Sequence, residues 1–86
     1  MIRVHDGYAG MFTRDQAKGA WPNGTRVRKC ATENGDTHAI GDTAVVLGSI
    51  DSGLPLHSPD PYFYFVEWDD MPGVAVGVIS SKVVPL

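Results

Sequence analysis

The chain has 86 residues, 43% hydrophobic and 20% charged, with a net charge of −3. That length holds one domain with one small core, burying only about 60–65% of the surface the unfolded chain exposes, and no apolar run approaches the roughly 20 residues of a membrane-spanning helix. The acidic balance disfavours a nucleic-acid backbone as partner, and the single cysteine excludes an intrachain disulfide.

Ten glycines and six prolines punctuate short apolar runs, the pattern of an all-β domain. Ile2 to His5 alternates apolar and polar, and Asp6-Gly7 is a turn signal. Thr13-x-x-Gln16 has the form of a capping box and predicts a short helical turn over residues 14–19. Trp21-Pro22-Asn23-Gly24 then breaks the chain. Residues 1–24 therefore read as an arm or short helical segment, lying on the domain or on a partner chain, and residues 25–86 as the domain itself.

A first strand is expected over residues 25–31, a turn at Asn34-Gly35-Asp36, and a second strand over residues 43–49, where Gly48 permits a bulge or corner. Cys30 reads as a half-buried small hydrophobe, with a reactive thiol beside Arg28 and Lys29 as the alternative. Residues 51–61 form a Pro-rich loop, long for a hairpin and of the kind that carries function. Its Leu54 and Leu56 either mark a contact surface or tuck beneath the domain.

The strongest strand is residues 62–68. Alternation puts Tyr62, Tyr64, Val66 and Trp68 on one face, and Phe63, Phe65 and Glu67 on the other. A strand apolar on both faces is central and covered twice, or faces a subunit partner. Asp69-Asp70-Met71-Pro72-Gly73 is a tight turn, residues 74–79 a fourth strand, Ser80-Ser81-Lys82 a 3₁₀ turn, and residues 83–86 a fifth strand. This order is the connectivity of an all-β, SH3-like five-stranded small barrel.

Two segments carry a family resemblance. Gly24-Thr25-Arg26-Val27-Arg28-Lys29 is similar to the opening strand of the type II dihydrofolate reductases, small SH3-like enzymes carried on plasmids and integrons. Tyr64-Phe65-Val66-Glu67-Trp68-Asp69-Asp70-Met71-Pro72-Gly73 resembles that family's Y-x-V-E-x-acidic-x-x-P-G stretch. The likeness spans about residues 24–86, with a longer central loop here. It implies the barrel, a symmetric oligomer (a tetramer in that family), and an integron cassette protein on that scaffold. Lys29 matches the family's pore lysine, which attracts anionic substrate and cofactor. The family's V-Q-I-Y run, which binds folate and nicotinamide cofactor, corresponds to Ala75-Val76-Gly77-Val78. Val76 stands in place of the glutamine and Val78 in place of the tyrosine, and neither has a side-chain hydrogen-bonding group.

Other constellations are weaker. His5, His38 and His57 are widely spaced and read as solvated loop histidines, since no metal-ligand spacing exists. Asp36-x-His38 has Asp42 or Asp60 as candidate partners. Ser58, His57 and Asp60 lack a nucleophile elbow. Arg26, Arg28 and Lys29 form the one basic cluster. The aromatics Tyr62, Tyr64, Trp68 and Trp21 remain the candidate ligand-binding surface, with Glu67 and Asp69 as an acidic rim and Lys29 beside them. The alternative places these rings in the core and a subunit interface.

The expectation is a cytoplasmic, homo-oligomeric binding or assembly module without catalysis or cofactor, since residues 1–6 lack the apolar stretch of a secretory signal. It takes a peptide or small ligand through the aromatic strand and long loop. The alternative is a small-molecule enzyme or ligand-binding pore related to type II dihydrofolate reductase.

Overall fold

The structure is a computed structural model describing residues 2–5, 8–55 and 57–86. The turn expected at Asp6-Gly7, and Leu56, lie outside these residues. The strands are β1 (Arg3–Val4), β2 (Arg26–Lys29), β3 (Thr43–Asp51), β4 (Tyr62–Trp68), β5 (Val74–Ile79) and β6 (Val83–Pro85). Single 3₁₀ turns occur at Tyr8–Gly10 and Ser80–Lys82. The chain is thus mostly β, and no α-helix occurs among the described residues.

The strands form one mixed sheet in the order β1-β5-β4-β3-β2-β6. Strands β2 to β5 make an antiparallel meander, β6 returns to pair antiparallel with β2, and β1 lies parallel to the start of β5. The two end strands, β1 and β6, do not pair with each other, so strand pairing leaves the sheet open. It is nevertheless strongly curved. Val27, Ala44, Val46, Tyr64, Val66, Trp68, Val78 and Val83, drawn from β2 through β6, meet in one buried cluster.

The register explains the curvature. Pairing of β3 with β4 shifts between Val46 and Gly48. Such a bulge bends its strand and adds local twist. Gly48 is required there for a second reason, because a methyl group on its Cα would overlap the Thr13 carbonyl, whose backbone crosses this point.

That crossing also explains why the helical turn expected over residues 14–19 does not form. Thr13 Oγ1 accepts from the Asp15 N–H at 2.9 Å instead of capping a helix, and Gln16 Oε1 accepts from the Asn23 N–H at 3.0 Å. The Asp15 carbonyl accepts from the Ser49 N–H at 2.9 Å, and the Ala17 N–H donates to Ser49 Oγ at 3.0 Å. Groups a helix would satisfy internally are taken by β3 and by local side chains, which is how Ser, Thr and Gln compete with helix. Only a turn at Ala17 to Gly19 remains, closed by Ala20 N–H on the Ala17 carbonyl at 3.1 Å.

The arm thus packs on its own sheet. Its aromatic rings cover the second face of β4: Phe12 meets Phe65 edge-on at 5.4 Å, and Tyr8 meets Phe63 at 5.4 Å. Trp21 covers the first face, stacked on Tyr64 at 4.8 Å. The 3₁₀ turn at Ser80–Lys82 forms where expected.

Substituting Gly48→Ala forces the arm off the bulge. Overpacking of this kind costs about 1–3 kcal/mol, and urea denaturation should show the midpoint falling accordingly. An unchanged midpoint would mean the Thr13 crossing does not hold the arm.

Candidate functional site

Past Ala75 no described strand pairs with the outer edge of β5. The Ala75 carbonyl accepts from the His5 N–H across that edge at 2.9 Å. Strand alternation turns the backbone groups of Gly77 and Ile79 the same way. Because the sheet curls, this edge faces the loop after β2, and between them lies a groove of about 200 Å³. Trp68, Val76 and Val78 line one side; Lys29, Asp36, His38 and Lys82 line the other; Tyr8 and Phe63 stand at its outer margin.

The electrostatics are set by one carboxylate. The turn at Asn34-Gly35, with Gly35 at φ +92°, brings Asp36 back over β2. Asp36 accepts from Lys82 Nζ at 2.9 and 3.0 Å, from Lys29 Nζ at 3.2 Å and from the Glu33 N–H at 3.0 Å. These bonds, that of Lys82 foremost, hold the Asp36 carboxyl well below the usual carboxylate range. Lys29 is only 3% exposed; its ammonium also donates to the His38 carbonyl at 3.2 Å and lies 5.7 Å from the Trp68 ring centre. A buried ammonium needs this set of partners, since burying an unpaired charge is strongly unfavourable.

Trp68 is the floor of the groove. It is 2% exposed, and the His38 imidazole stacks on it at 4.2 Å and 11°. His38 Nε2 lies 2.8 Å from Asp70 Oδ1, and its Nδ1 lies 2.9 Å from Thr37 Oγ1. An ionised carboxylate only accepts, so Nε2 is the donor towards Asp70. The Trp68 indole Nε1 is buried with no hydrogen-bond partner, alone in this among the described side chains.

Of the residues singled out in the sequence, Lys29 and Trp68 meet in this groove. Tyr62, Tyr64 and Trp21 meet elsewhere on the same face of β4. Tyr64 is 1% exposed and accepts from the Trp21 N–H at 3.1 Å, and Tyr62 donates to the Lys18 carbonyl at 3.0 Å. Glu67 accepts from the Gly73 N–H at 2.6 Å and closes the turn before β5. Asp69 is bound in a two-pronged pair with Arg26, at 2.6 and 2.7 Å, and by the Thr43 hydroxyl. Arg26 is therefore held by Asp69, and Lys29 is buried, so Arg26, Arg28 and Lys29 do not form one exposed basic patch.

Several expectations change here. His38 is not a solvated loop histidine: it is 4% exposed because its ring covers Trp68, and its partner is Asp70 instead of Asp42 or Asp60. Asp36 pairs with Lys29 and Lys82 instead of standing with His38 beside Asp42 or Asp60. Ser58, His57 and Asp60 do not assemble as a triad, since Ser58 Oγ accepts from the Asp60 N–H and Asp60 Oδ1 accepts from the Ser81 N–H. The described residues of the long loop do not line the groove; the loop is fastened instead to the Ser80–Lys82 turn, and Leu54 is half exposed. Cys30 is half-buried, with Sγ 3.4 Å from the Ser81 carbonyl. Sequence reasoning missed Asp36, His38, Lys82, Phe63 and Tyr8 as groove residues; the one available signal was a lysine at an inward position of a short strand, which demands a buried acid.

Among the described residues, no group of three or more His, Cys, Asp or Glu side chains converges as metal ligands, and no helix is long and apolar enough to cross a membrane.

Two predictions follow the local chemistry. Asp69 titrates at about 2, lowered chiefly by its hydrogen bonds from Arg26, and Asp36 lies lower still. Carboxyls depressed in the fold contribute stability that is complete above their unfolded value of about 3.9 and is lost as pH falls towards the folded value. The urea midpoint should therefore fall progressively below about pH 4, and Asp36→Asn with Asp69→Asn should flatten that dependence. Substituting Tyr64→Phe leaves the Trp21 N–H without its acceptor, and thermal or urea unfolding should register a loss of about 1–2 kcal/mol.

Compared with known proteins, the chain matches no family model, no curated protein sequence and no solved structure.

Proposed function

We propose that this chain is a non-catalytic binding and assembly module: an SH3-like small barrel with an N-terminal arm, homo-oligomeric and cytoplasmic, taking a protein segment or small ligand into the groove beside Trp68. The observation that carries this reading is the groove itself, which combines a strand edge unpaired among the described residues, an aromatic floor and two lysine ammoniums in about 200 Å³. Ligand sites are concave and combine apolar walls with a few convergent polar groups, and this groove joins Trp68, Val76 and Val78 to Lys29, Asp36, His38 and Lys82. The barrel reading is supported by the meander β2 to β5, the return of β6 to β2, and the bulge at Gly48. The homo-oligomer is supported by the small size of the core, and by exposed Met11, Ile40, Leu54 and Leu86.

A second reading, a ligand-binding pore or small-molecule enzyme related to the type II dihydrofolate reductases, has one observation in its favour. Lys29 and Val76 to Val78, the positions matching that family's pore residues, line the same groove. Val76 and Val78 supply no amide or hydroxyl to hold a folate or nicotinamide ring.

Light scattering coupled to a thermal-shift panel of short peptides, small carboxylates, reduced nicotinamide cofactor and dihydrofolate separates these readings. The module predicts a mass above the 9.3 kDa monomer. It also predicts stabilisation by a peptide or carboxylate: at ten times Kd, about 1.4 kcal/mol, or roughly 5–10 °C in a domain this small. A monomer unmoved by the whole panel sinks it, and turnover of the reduced cofactor with dihydrofolate replaces it with the second reading.

A further inference from the structure

The groove has features that select among ligands. Resting on the binding reading above, we propose that it is a strand-addition site: it takes an extended peptide that pairs with the outer edge of β5 and sets an acidic side chain against Lys82, with the buried Lys29 behind it.

The edge supplies the first half of the recognition. Gly77 and Ile79 turn their backbone groups outward where β1 has already ended. An unpaired edge is a template for another strand, and in that mode main-chain bonds give affinity while side-chain pockets give specificity. Gly77 sits at the centre of this stretch with no side chain of its own, and the Phe63 ring occupies the space a Cβ would take. A second backbone therefore comes to β5 in the plane of the sheet, along its edge, with Phe63 and Tyr8 as an apolar margin. A volume of about 200 Å³ suits the side chains of one or two residues, not a folded partner.

Charge supplies the second half. Lining the groove are two ammonium groups, Lys29 and Lys82, and a single carboxylate, Asp36, which bridges them. The next carboxylate, Glu33, is 4.0 Å from Lys82, and its side chain is 74% exposed, so water screens it. The groove wall thus keeps an excess positive charge, in a region where a paired carboxylate is worth more than at an open surface. An added strand brings both a carboxylate and backbone carbonyls, whereas an uncharged apolar ligand brings neither.

The test uses the full chain, isotope-labelled for amide NMR, and the blocked peptide acetyl-Thr-Val-Glu-Val-Thr-amide. Binding is expected with Kd on the order of 0.1–1 mM, the largest shifts falling on Gly77, Val78, Ile79 and the Trp68 indole N–H. Replacing the peptide's glutamate by glutamine should weaken binding about ten-fold, and so should methylating the two valine backbone nitrogens, which removes strand pairing while leaving the charge. The variant Lys82→Met, checked for an unchanged amide spectrum away from the groove, should erase the difference between the glutamate and glutamine peptides. Equal affinity for the N-methylated peptide overturns strand addition, and equal affinity for the glutamine peptide overturns the acidic preference. If succinate shifts the groove signals and the peptide does not, the binding module stands and this inference falls. If neither does, both fall. Protection of the Gly77 and Ile79 amides that grows with protein concentration would assign the edge to a second copy and also overturn it.

Discussion

Strand β4 is apolar on both faces, and most of the architecture is a consequence of covering it twice. Tyr64, Val66 and Trp68 point into the curled sheet, where residues from β2, β3, β5 and β6 bury them. Phe63 and Phe65 point the other way, where a single curved sheet has nothing left to offer, and the N-terminal arm supplies Tyr8 and Phe12. The arm is therefore part of the fold and not an appendage to it. Its path is dictated in turn by Gly48, the point on β3 where a backbone crosses close enough to exclude any side chain. Hydrophobic burial of the strand, the bulge that bends its neighbour and the loss of helix in the arm are three aspects of one packing problem.

The polar side of the structure is organised around Lys29. A short strand with alternating burial places this side chain inward, and a buried ammonium is tolerable only among acceptors. Asp36, delivered by the turn after β2, answers it, and shares its carboxylate with Lys82 from the far end of the chain. That three-way contact ties the β2–β3 loop to the turn before β6, and fixes the wall of the groove opposite β5. His38, carried by the same loop, lies flat on Trp68 and closes the core from that side. The loop thus fixes the core and lines the groove at once, a combination that leaves a charged wall beside the outer edge of β5.

Much of this was legible from residue order. The strands at residues 62–68 and 74–79, the turn between them, the 3₁₀ turn at Ser80–Lys82 and the corner at Gly48 follow from alternation and from turn chemistry. These are local rules that act within a few residues. The helical turn over residues 14–19 failed for the same reason stated in reverse. Thr13 and Gln16 carry a capping pattern, but their hydrogen bonds are claimed by Asp15, Asn23 and the neighbouring β3, and partners distant in sequence do not show in a local pattern. The groove was only half legible: Trp68 could be picked out from the aromatic face of its strand and Lys29 from a family resemblance, whereas Asp36, His38 and Lys82 look like ordinary solvated polar residues until the chain folds.

The order of residues by itself determined a small, mostly-β domain with one strand hydrophobic on both faces. It could do so because side-chain alternation and glycine and proline punctuation act over short stretches. Tertiary structure alone decided which pieces answer those demands: the arm over Phe63 and Phe65, Asp36 and Lys82 around Lys29, His38 on Trp68, and the edge of β5 left, among the described residues, without a strand past Ala75. Those contacts join residues separated by tens of positions. They are chosen by the competition among all surfaces for cover and all charges for partners, which exists only once the whole chain is compact.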